Sequence, residues 1–303
     1  MQHKSQHWVA RSYLAAWCDP DKSEKYNDYV WVYSRDGSRC RKKAPENIFK
    51  ETEMYTIKLP DGGRDLRIEH GLHELEDHFI RIRDAILEPR MPMTDEDRLK
   101  FLAFVAAMKA RTKRQRDHQR KQWTEALEMG QRLRDAMMRM TPKQRAAAGK
   151  VSSGGTGPSL SMNQVEQLAR NPLQNLLPAH VEALLAKLLA MKLAVLCTED
   201  DPGFITSDDP CQIRDPQASS RPFPFNAPDL VYDTAELTMP ISPTRLLVVS
   251  WRDALSGYID VTSDLVTEGN RMTRWHCEEE FIVRRQTLRK DWFQPDQAPM
   301  PAS

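Results

Sequence analysis

The sequence predicts an α+β fold with an N-terminal hairpin, long central helices and a strand-rich C-terminal part that forms a mixed or antiparallel sheet. Helical spacing of apolar residues dominates the middle of the chain, and short β-branched runs bounded by turn residues lie nearer both ends. With 303 residues, 40% of them hydrophobic and 29% charged, the composition is that of a folded protein. We therefore expect one α+β domain over residues 1–298, with a flexible loop near 148–160 and a disordered tail at 299–303.

The N-terminal region contains the elements that predict the hairpin. Aromatic and apolar residues at helical spacing in 8–17 predict a short amphipathic helix. The β-branched run around Val30 and Val32, the turn at Arg35-Asp36-Gly37 and the basic stretch near 38–43 predict two paired strands. A third strand is expected over 53–57, before the turn residues Asp61-Gly62-Gly63.

The central region is predicted to be helical. Between 65 and about 87, apolar residues recur every three or four positions, which predicts one helix that Pro89 and Pro92 terminate. The capping pattern Thr94-Asp-Glu-Asp97 begins a second helix that is expected to run towards Met140, apolar in its first half and basic in its second. Glycine and serine residues in 150–158 predict a loop, and a further helix is expected after Pro178.

The C-terminal region is predicted to consist mainly of strands. We expect strands near 193–198, 204–206, 237–241 and 246–251, a long loop at 215–228, a helix at 263–276 and a closing strand at 281–284. No apolar stretch is long enough to cross a membrane, and the N-terminus lacks a signal-peptide core. The five scattered cysteines contain no Cys-x-x-Cys pair, so a reduced, cytoplasmic protein is expected.

Short polar motifs follow one another along almost the whole chain. In order they are Gln6-His7-Trp-Val-Ala-Arg11 with Leu14, Glu53-Met-Tyr55-Thr56, Ile68-Glu69, Leu75-Glu76, Arg111-Thr112, Ile205 to Pro210, Pro240-Ile-Ser-Pro243, and Asn270. With these motifs the sequence resembles the bacterial "domain of unknown function 4238" family. It departs from the family pattern at Ala10, where proline is frequent, and at Asp209, where asparagine is common. The resemblance implies no particular activity.

The polar residues of these motifs suggest a metal-dependent hydrolase of the nuclease or phosphodiesterase type. An imidazole together with several carboxylates can hold a divalent metal such as Mg²⁺ or Mn²⁺ and activate water against a phosphodiester. The predicted catalytic residues are His7, Glu53 and Asp208. The predicted metal ligands are Glu69, Glu76 and Asp208, and the predicted substrate-binding residues are Gln6, Arg11, Arg111, Arg114 and Ser207.

The same residues also have structural interpretations. Ser207 and Asp208 precede a proline and can cap a turn through backbone N–H groups, and Gln6-His7 can fix the N-terminal helix by hydrogen bonds. On the acidic helix, Glu69, His73 and Glu76 are spaced i, i+4 and i+7. That spacing places them on one face, which can bind a metal or can simply be solvated.

A charge asymmetry supports an alternative, non-enzymatic function. Residues 51–97 contain 13 acidic and 6 basic residues, whereas 109–150 contain 13 basic and 4 acidic residues. Seven lysines and arginines lie within 109–121, a density that can bind a phosphate backbone. A module that binds nucleic acid or protein through this basic helix is therefore the alternative, although the two oppositely charged segments can also pair with each other.

Overall fold

A computed structural model describes residues 5–59, 61–151 and 160–294. This part of the chain contains eight α-helices: α1 Arg11–Leu14, α2 Arg67–Ile82, α3 Asp95–Ala110, α4 Lys113–Arg139, α5 Pro142–Val151, α6 Met162–Arg170, α7 Pro172–Ala190 and α8 Ser263–His276. Its thirteen strands are β1 Ser5–His7, β2 Val30–Ser34, β3 Cys40–Lys43, β4 Lys50–Thr52, β5 Ile57–Lys58, β6 Arg64–Asp65, β7 Lys192–Cys197, β8 Thr206–Ser207, β9 Gln212–Arg214, β10 Glu236–Ser242, β11 Arg245–Ser250, β12 Gly257–Asp260 and β13 Glu280–Val283.

Two larger sheets organise these strands. The first has the order β12-β7-β11-β10-β9 and is mixed, because β12 runs parallel to β7 while the other pairs are antiparallel. The second is antiparallel with the order β3-β2-β13-β8, so the N-terminal hairpin and the closing strand share one sheet, with Val32 opposite Ile282. The predicted α+β class, the hairpin and the strand-rich C-terminal part are confirmed.

The main core lies where α3 meets α2, α7 and the mixed sheet. The apolar first half of the predicted second helix explains this position, because α3 is buried on most of its surface. Phe79 of α2 stacks on Phe104 of α3 with ring centroids 4.0 Å apart. The N-terminal segment is fixed to this core: the Tyr13 hydroxyl bonds Thr206 Oγ1 at 2.6 Å, and Trp17 Nε1 donates to the Phe204 carbonyl at 2.8 Å.

The predicted second helix is two helices. Thr94 caps α3 as expected, accepting from Asp97 N at 3.1 Å. The helix ends before Arg111 and Thr112, and a new helix, α4, begins after them. The Thr112 hydroxyl accepts a hydrogen bond from Gln115 N at 3.2 Å and caps α4. Neither glycine nor proline lies at this helix boundary. The helical pattern of the sequence therefore predicted one continuous helix across it. A threonine N-cap in the middle of a helical sequence is sufficient to begin a new helix.

Other boundaries also differ from the predictions. The single strand expected over 53–57 is not observed. Glu53 has a φ of 56°, which is not a strand conformation, and it lies between the two short strands β4 and β5. Helix α7 begins at Pro172, a favoured first-turn position, and contains Pro178 in its interior. Of the loop expected near 148–160, residues 148–151 belong to α5 and 152–159 lie outside the described residues, as does the tail 299–303. None of the described helices is long and apolar enough to cross a membrane.

Candidate functional site

An open cleft lies between α2 and the N-terminal segment formed by β1 and α1. Its volume is about 660 Å³. We call it the N-terminal cleft. Its polar lining residues are Ser5, Gln6, His7, Arg11, Ser12, Tyr55, Glu69, His70, His73, Glu76, Asp77 and Arg111.

Three separate parts of the chain supply these side chains. Strand β1 pairs with β4, with Gln6 opposite Glu51, and this pairing holds the Gln6-His7 motif at one wall. Helix α2 forms the opposite wall, where the i, i+4, i+7 spacing brings Glu69, His73 and Glu76 to one face as predicted. Arg111 enters from the break between α3 and α4.

Gln6 is fully engaged by its neighbours. It is 3% exposed. Its Nε2 donates to Glu69 Oε2 at 2.7 Å and to Thr56 Oγ1 at 3.0 Å, and its Oε1 accepts from Tyr55 N at 2.6 Å. Both amide hydrogens are used, so Gln6 fixes the position of Glu69 instead of offering a donor to the cleft. The second carboxylate oxygen of Glu69, Oε1, accepts no hydrogen bond from any described residue.

Arg111 and Glu76 form a buried ion pair at the base of the cleft. Arg111 is 1% exposed, and its Nη1 lies 2.9 Å from Glu76 Oε1. Its Nη2 contacts the Met108 sulfur at 3.0 Å, whereas its Nε has no hydrogen-bond partner among the described residues. A buried guanidinium nitrogen without a partner is costly, so an acceptor that reached it would gain binding energy.

His7 is held in its neutral form. Burial lowers the pKa of this half-buried imidazole more than the hydrogen bond with the Glu46 carbonyl raises it. The charges of Lys50 and Arg111 lower the pKa further, and the charge of Glu76 opposes them. Its Nε2 lies 3.3 Å from the carbonyl oxygen of Glu46. A carbonyl can only accept, so we assign the imidazole proton to Nε2, which leaves Nδ1 as the basic nitrogen.

Tyr55 supports the backbone on both sides of the cleft. Its hydroxyl lies 3.2 Å from the carbonyl oxygens of both His7 and Arg111. Burial raises the pKa of Tyr55, so the phenol stays protonated and can donate. This one side chain therefore ties β1 to the α3–α4 break, and it keeps His7 near Arg111.

Asp208 and Ser207 do not line the N-terminal cleft. The Asp208 carboxylate accepts from the backbone N–H groups of Glu278, Glu279 and Glu280 at 2.9, 2.7 and 3.1 Å. Ser207 Oγ accepts from Asp209 N at 3.2 Å. Burial raises the pKa of Asp208 to about 6, although the three N–H groups oppose that shift. These contacts match the turn-capping interpretation of the motif and fix the turn before β13. We call Asp208 and the three backbone N–H groups that it accepts the Asp208 anchor.

Glu53 and Arg114 also lie outside the cleft. Glu53 sits at the bend between β4 and β5, where Arg64 and Lys58 are 3.5 and 3.4 Å from its carboxylate. Arg114 donates to the His276 carbonyl at 3.0 Å and lies 3.5 Å from Asp209. Six of the ten predicted site residues therefore share the cleft: Gln6, His7, Arg11, Glu69, Glu76 and Arg111.

The structure does not assemble the complete predicted metal site. Asp208, the third predicted ligand, belongs to the anchor before β13. In the described ranges, no three His, Cys, Asp or Glu side chains are placed to hold one ion. Glu69 and Glu76 remain in the cleft as a pair of carboxylates.

The basic segment 109–121 is largely neutralised by carboxylates. Six of its seven lysines and arginines lie at ion-pair distance from an acid, which leaves few free cations for a phosphate backbone. The pairs are Lys109–Asp209, Arg111–Glu76, Lys113–Glu279, Arg114–Asp209, Arg116–Glu51 and Arg120–Asp117. Two of these pairs, those of Arg111 and Arg116, join the basic segment to the acidic one.

Sequence reasoning missed part of the cleft lining. His70 and Asp77 are one position along α2 from Glu69 and Glu76 and have the same seven-residue spacing, so helical periodicity could have revealed them. Ser12 carried no such signal. Its hydroxyl reaches Glu76 Oε2 at 3.4 Å only because α1 packs against α2.

Comparison with protein-family models assigns the chain to a family. The family model described as "Protein of unknown function (DUF4238)" matches residues 5–287. The chain belongs to this family. No significant match was found among curated proteins or among solved structures. The DUF4238 description supplies no activity, so any functional argument has to start from the residues of the cleft.

Proposed function

We propose that this DUF4238 protein is a hydrolase that cleaves phosphodiesters, with the N-terminal cleft as its active site and a divalent metal as its cofactor. One observation carries the proposal: a buried guanidinium with an unused N–H, a neutral imidazole and two carboxylates line one open cleft. Together these groups can bind a phosphate, accept a proton and ligate a cation.

Each group has a role that follows from its contacts. In this proposal the unpaired Nε–H of Arg111, buried in the structure, turns towards a non-bridging phosphate oxygen, and the exposed Arg11 supplies a second positive charge at the rim. Nδ1 of His7 accepts the proton of the attacking water as the water oxygen bonds to phosphorus. The bond from phosphorus to the leaving oxygen breaks, and that oxygen takes a proton from solvent.

The carboxylates would hold Mg²⁺ or Mn²⁺. Mg²⁺ is commonly bound by one or two carboxylates and completes its coordination with water and substrate oxygens, so two glutamates are a sufficient protein contribution. Glu69 has a free oxygen, whereas Glu76 already neutralises Arg111. Glu69 is therefore the principal ligand in this proposal, and Glu76 is the secondary one.

Cleavage of bis(4-nitrophenyl) phosphate, DNA and RNA with Mg²⁺, Mn²⁺ or EDTA tests the proposal. We expect metal-dependent cleavage that falls about 100-fold or more in His7→Ala, because a general base typically contributes that much. His78→Ala is the matched control, since this histidine is on α2 but does not line the cleft. Folded wild-type protein without cleavage under every condition, or equal rates in the two variants, would overturn the proposal.

The role of the metal has its own control pair. Glu69→Gln removes the charge but keeps an acceptor for Gln6, and we expect it to raise the Mn²⁺ concentration needed for half-maximal cleavage. Glu74→Gln makes the same chemical change at an exposed α2 position outside the cleft. If both variants respond to Mn²⁺ like the wild type, Glu69 is not a ligand.

The alternative binding module would have to use a different surface. Because most of the cations in 109–121 are paired, the exposed far half of α4 and the start of α5 are the better candidates; Arg134, Arg139 and Lys143 have no carboxylate partner in the described part of the chain. Anisotropy of a labelled oligonucleotide distinguishes the functions. Binding that is lost in Arg134→Glu/Arg139→Glu but not in Arg252→Glu, without any cleavage, would favour the module.

A further inference from the structure

Three aromatic rings surround the ammonium group of Lys42 on the N-terminal hairpin. The Lys42 nitrogen lies 5.6 Å from the ring centroid of Tyr26, 4.6 Å from that of Tyr29 and 4.8 Å from that of Trp31. All three distances are within the range of a cation–π interaction. We call the three rings the aromatic cage. It is separate from the N-terminal cleft, because none of its residues lines that cleft.

Strand pairing places Lys42 opposite Trp31, and two of the three walls are held in place by further contacts. The Tyr29 and Trp31 rings meet at 88° with centroids 5.8 Å apart, so they form two perpendicular walls. Tyr26 supplies the third wall and is 60% exposed, which leaves that side open to solvent. A cation can therefore enter from outside the hairpin.

A buried carboxylate strengthens the two inner walls. Asp19 is 8% exposed, and its Oδ2 accepts from Trp31 Nε1 at 2.7 Å and from the Tyr29 hydroxyl at 3.3 Å. Donation of both ring hydrogens to a carboxylate increases the negative charge on the ring faces. The carboxylate and the rings together make the cage attractive to a positive group.

Lys42 is held by the rings without an ion pair. It is exposed on the edge strand β3, and no carboxylate of the described residues lies at ion-pair distance from its nitrogen. A primary ammonium inside the cage also turns its N–H groups towards rings, which are poor substitutes for water. A quaternary ammonium has no N–H group and loses nothing in this way.

We propose that the aromatic cage is a binding site for a quaternary ammonium group, the chemistry shared by trimethyllysine and choline, and that Lys42 fills the cage when no such ligand is bound. Lys42 is then an internal competitor. Its removal opens the cage and increases the affinity for the ligand. The site is independent of the hydrolase proposal, because it uses different residues and needs no catalysis.

NMR titration of the full chain tests this proposal through the Trp31 indole N–H, assigned with Trp31→Phe. Choline and Nε-trimethyllysine are the probes, and the tighter of the two identifies the source of the group. The neutral isostere 3,3-dimethyl-1-butanol is the ligand control. We expect both cations to shift the Trp31 signal, and the isostere to bind more weakly because it lacks the charge.

Variants on the same hairpin separate cage binding from general effects. Lys42→Ala should bind the cation about two- to fivefold more tightly, the amount expected for loss of an exposed cation–π competitor. Lys43→Ala removes the adjacent lysine of β3, which has no cage contact, and should bind like the wild type. Tyr26→Ala removes the exposed wall and should weaken binding. Absence of a shift in Lys42→Ala, or equal binding of cation and isostere, would overturn the proposal.

Discussion

The N-terminal cleft and the Asp208 anchor both consist of polar residues from short sequence motifs, yet the numbers of hydrogen bonds that these residues make differ. At the anchor, the Asp208 carboxylate accepts three backbone N–H groups that hold the turn before β13. In the cleft, Arg111 Nε–H and Glu69 Oε1 have no partner among the described residues, and both residues line the cavity of about 660 Å³. The hydrogen-bonding groups of the anchor are used to hold the fold, whereas two groups of the cleft residues have no partner.

This difference separates residues that build the fold from residues that can act on a ligand. A carboxylate with three backbone donors has little left for a metal, whereas a buried guanidinium with an unpaired N–H gains stability when an anion arrives. The contrast predicts that changes at the anchor chiefly alter folding, and that changes in the cleft alter both folding and binding.

The largest stability effect is expected at the anchor. Asp208→Ala removes a nearly buried carboxylate and with it three charge-assisted hydrogen bonds from part-buried backbone N–H groups, so we expect the free energy of unfolding to fall by about 4 kcal/mol. Asp77→Ala, an exposed carboxylate in the cleft, should change it by less than about 0.5 kcal/mol. Urea denaturation measures both values. Similar effects in the two variants would contradict the distinction between anchor and cleft.

Breaking the ion pair at the base of the cleft should have the next largest effect. Glu76→Ala leaves the Arg111 guanidinium buried without its carboxylate, which we expect to cost about 3 kcal/mol. Glu76→Gln retains an oxygen for Nη1 and should cost less. Glu74→Ala, on the exposed side of α2, is the control for helix effects. An Ala variant at position 76 as stable as that control would show that the pair does not hold Arg111.

The smallest effect is the titration of His7. Because burial lowers its pKa, NMR titration of the imidazole should give a value below the ordinary 6.5. The unfolded chain binds this proton more readily than the folded protein does, so protonation of the imidazole lowers the free energy of unfolding. The contribution of neutral His7 is therefore present above pH 6.5 and is lost as the pH falls through the lower folded-state pKa. A His7→Gln variant should lose this part of the acid dependence. A measured pKa above 6.5 would contradict neutral His7 in the cleft.

Local sequence patterns predicted much of the fold because helices, caps and turns are formed by interactions between residues that are close in the sequence. The periodicity of α2, the Thr94 cap and the hairpin turn at 35–37 each depend on neighbouring residues, and each element is observed. The break at Thr112 was not predicted, since its cap occurs without glycine or proline. The position of Glu53 in the left-handed region likewise has no pattern that marks it.

The site was predicted less well than the fold because convergence of distant segments is a tertiary property. Helical spacing on α2 predicted that Glu69 and Glu76 share one face, and both residues line the cleft together with His7. The sequence allowed a turn-capping role for Asp208, but nothing in it indicated that the backbone partners would be residues 278–280. Asp208 meets these backbone groups because β8 pairs with β13. That pairing joins segments far apart in the sequence, so no local pattern predicts it.

The central claim is that the N-terminal cleft binds a phosphodiester through Arg111, and the resonance of the Arg111 Nε–H tests it most directly. In titrations of the wild-type protein with dimethyl phosphate, we predict a saturable shift of this signal towards that of a hydrogen-bonded guanidinium. The His7 signals should shift over the same concentration range. An Arg111 signal that does not change up to concentrations that shift surface arginines would contradict the account.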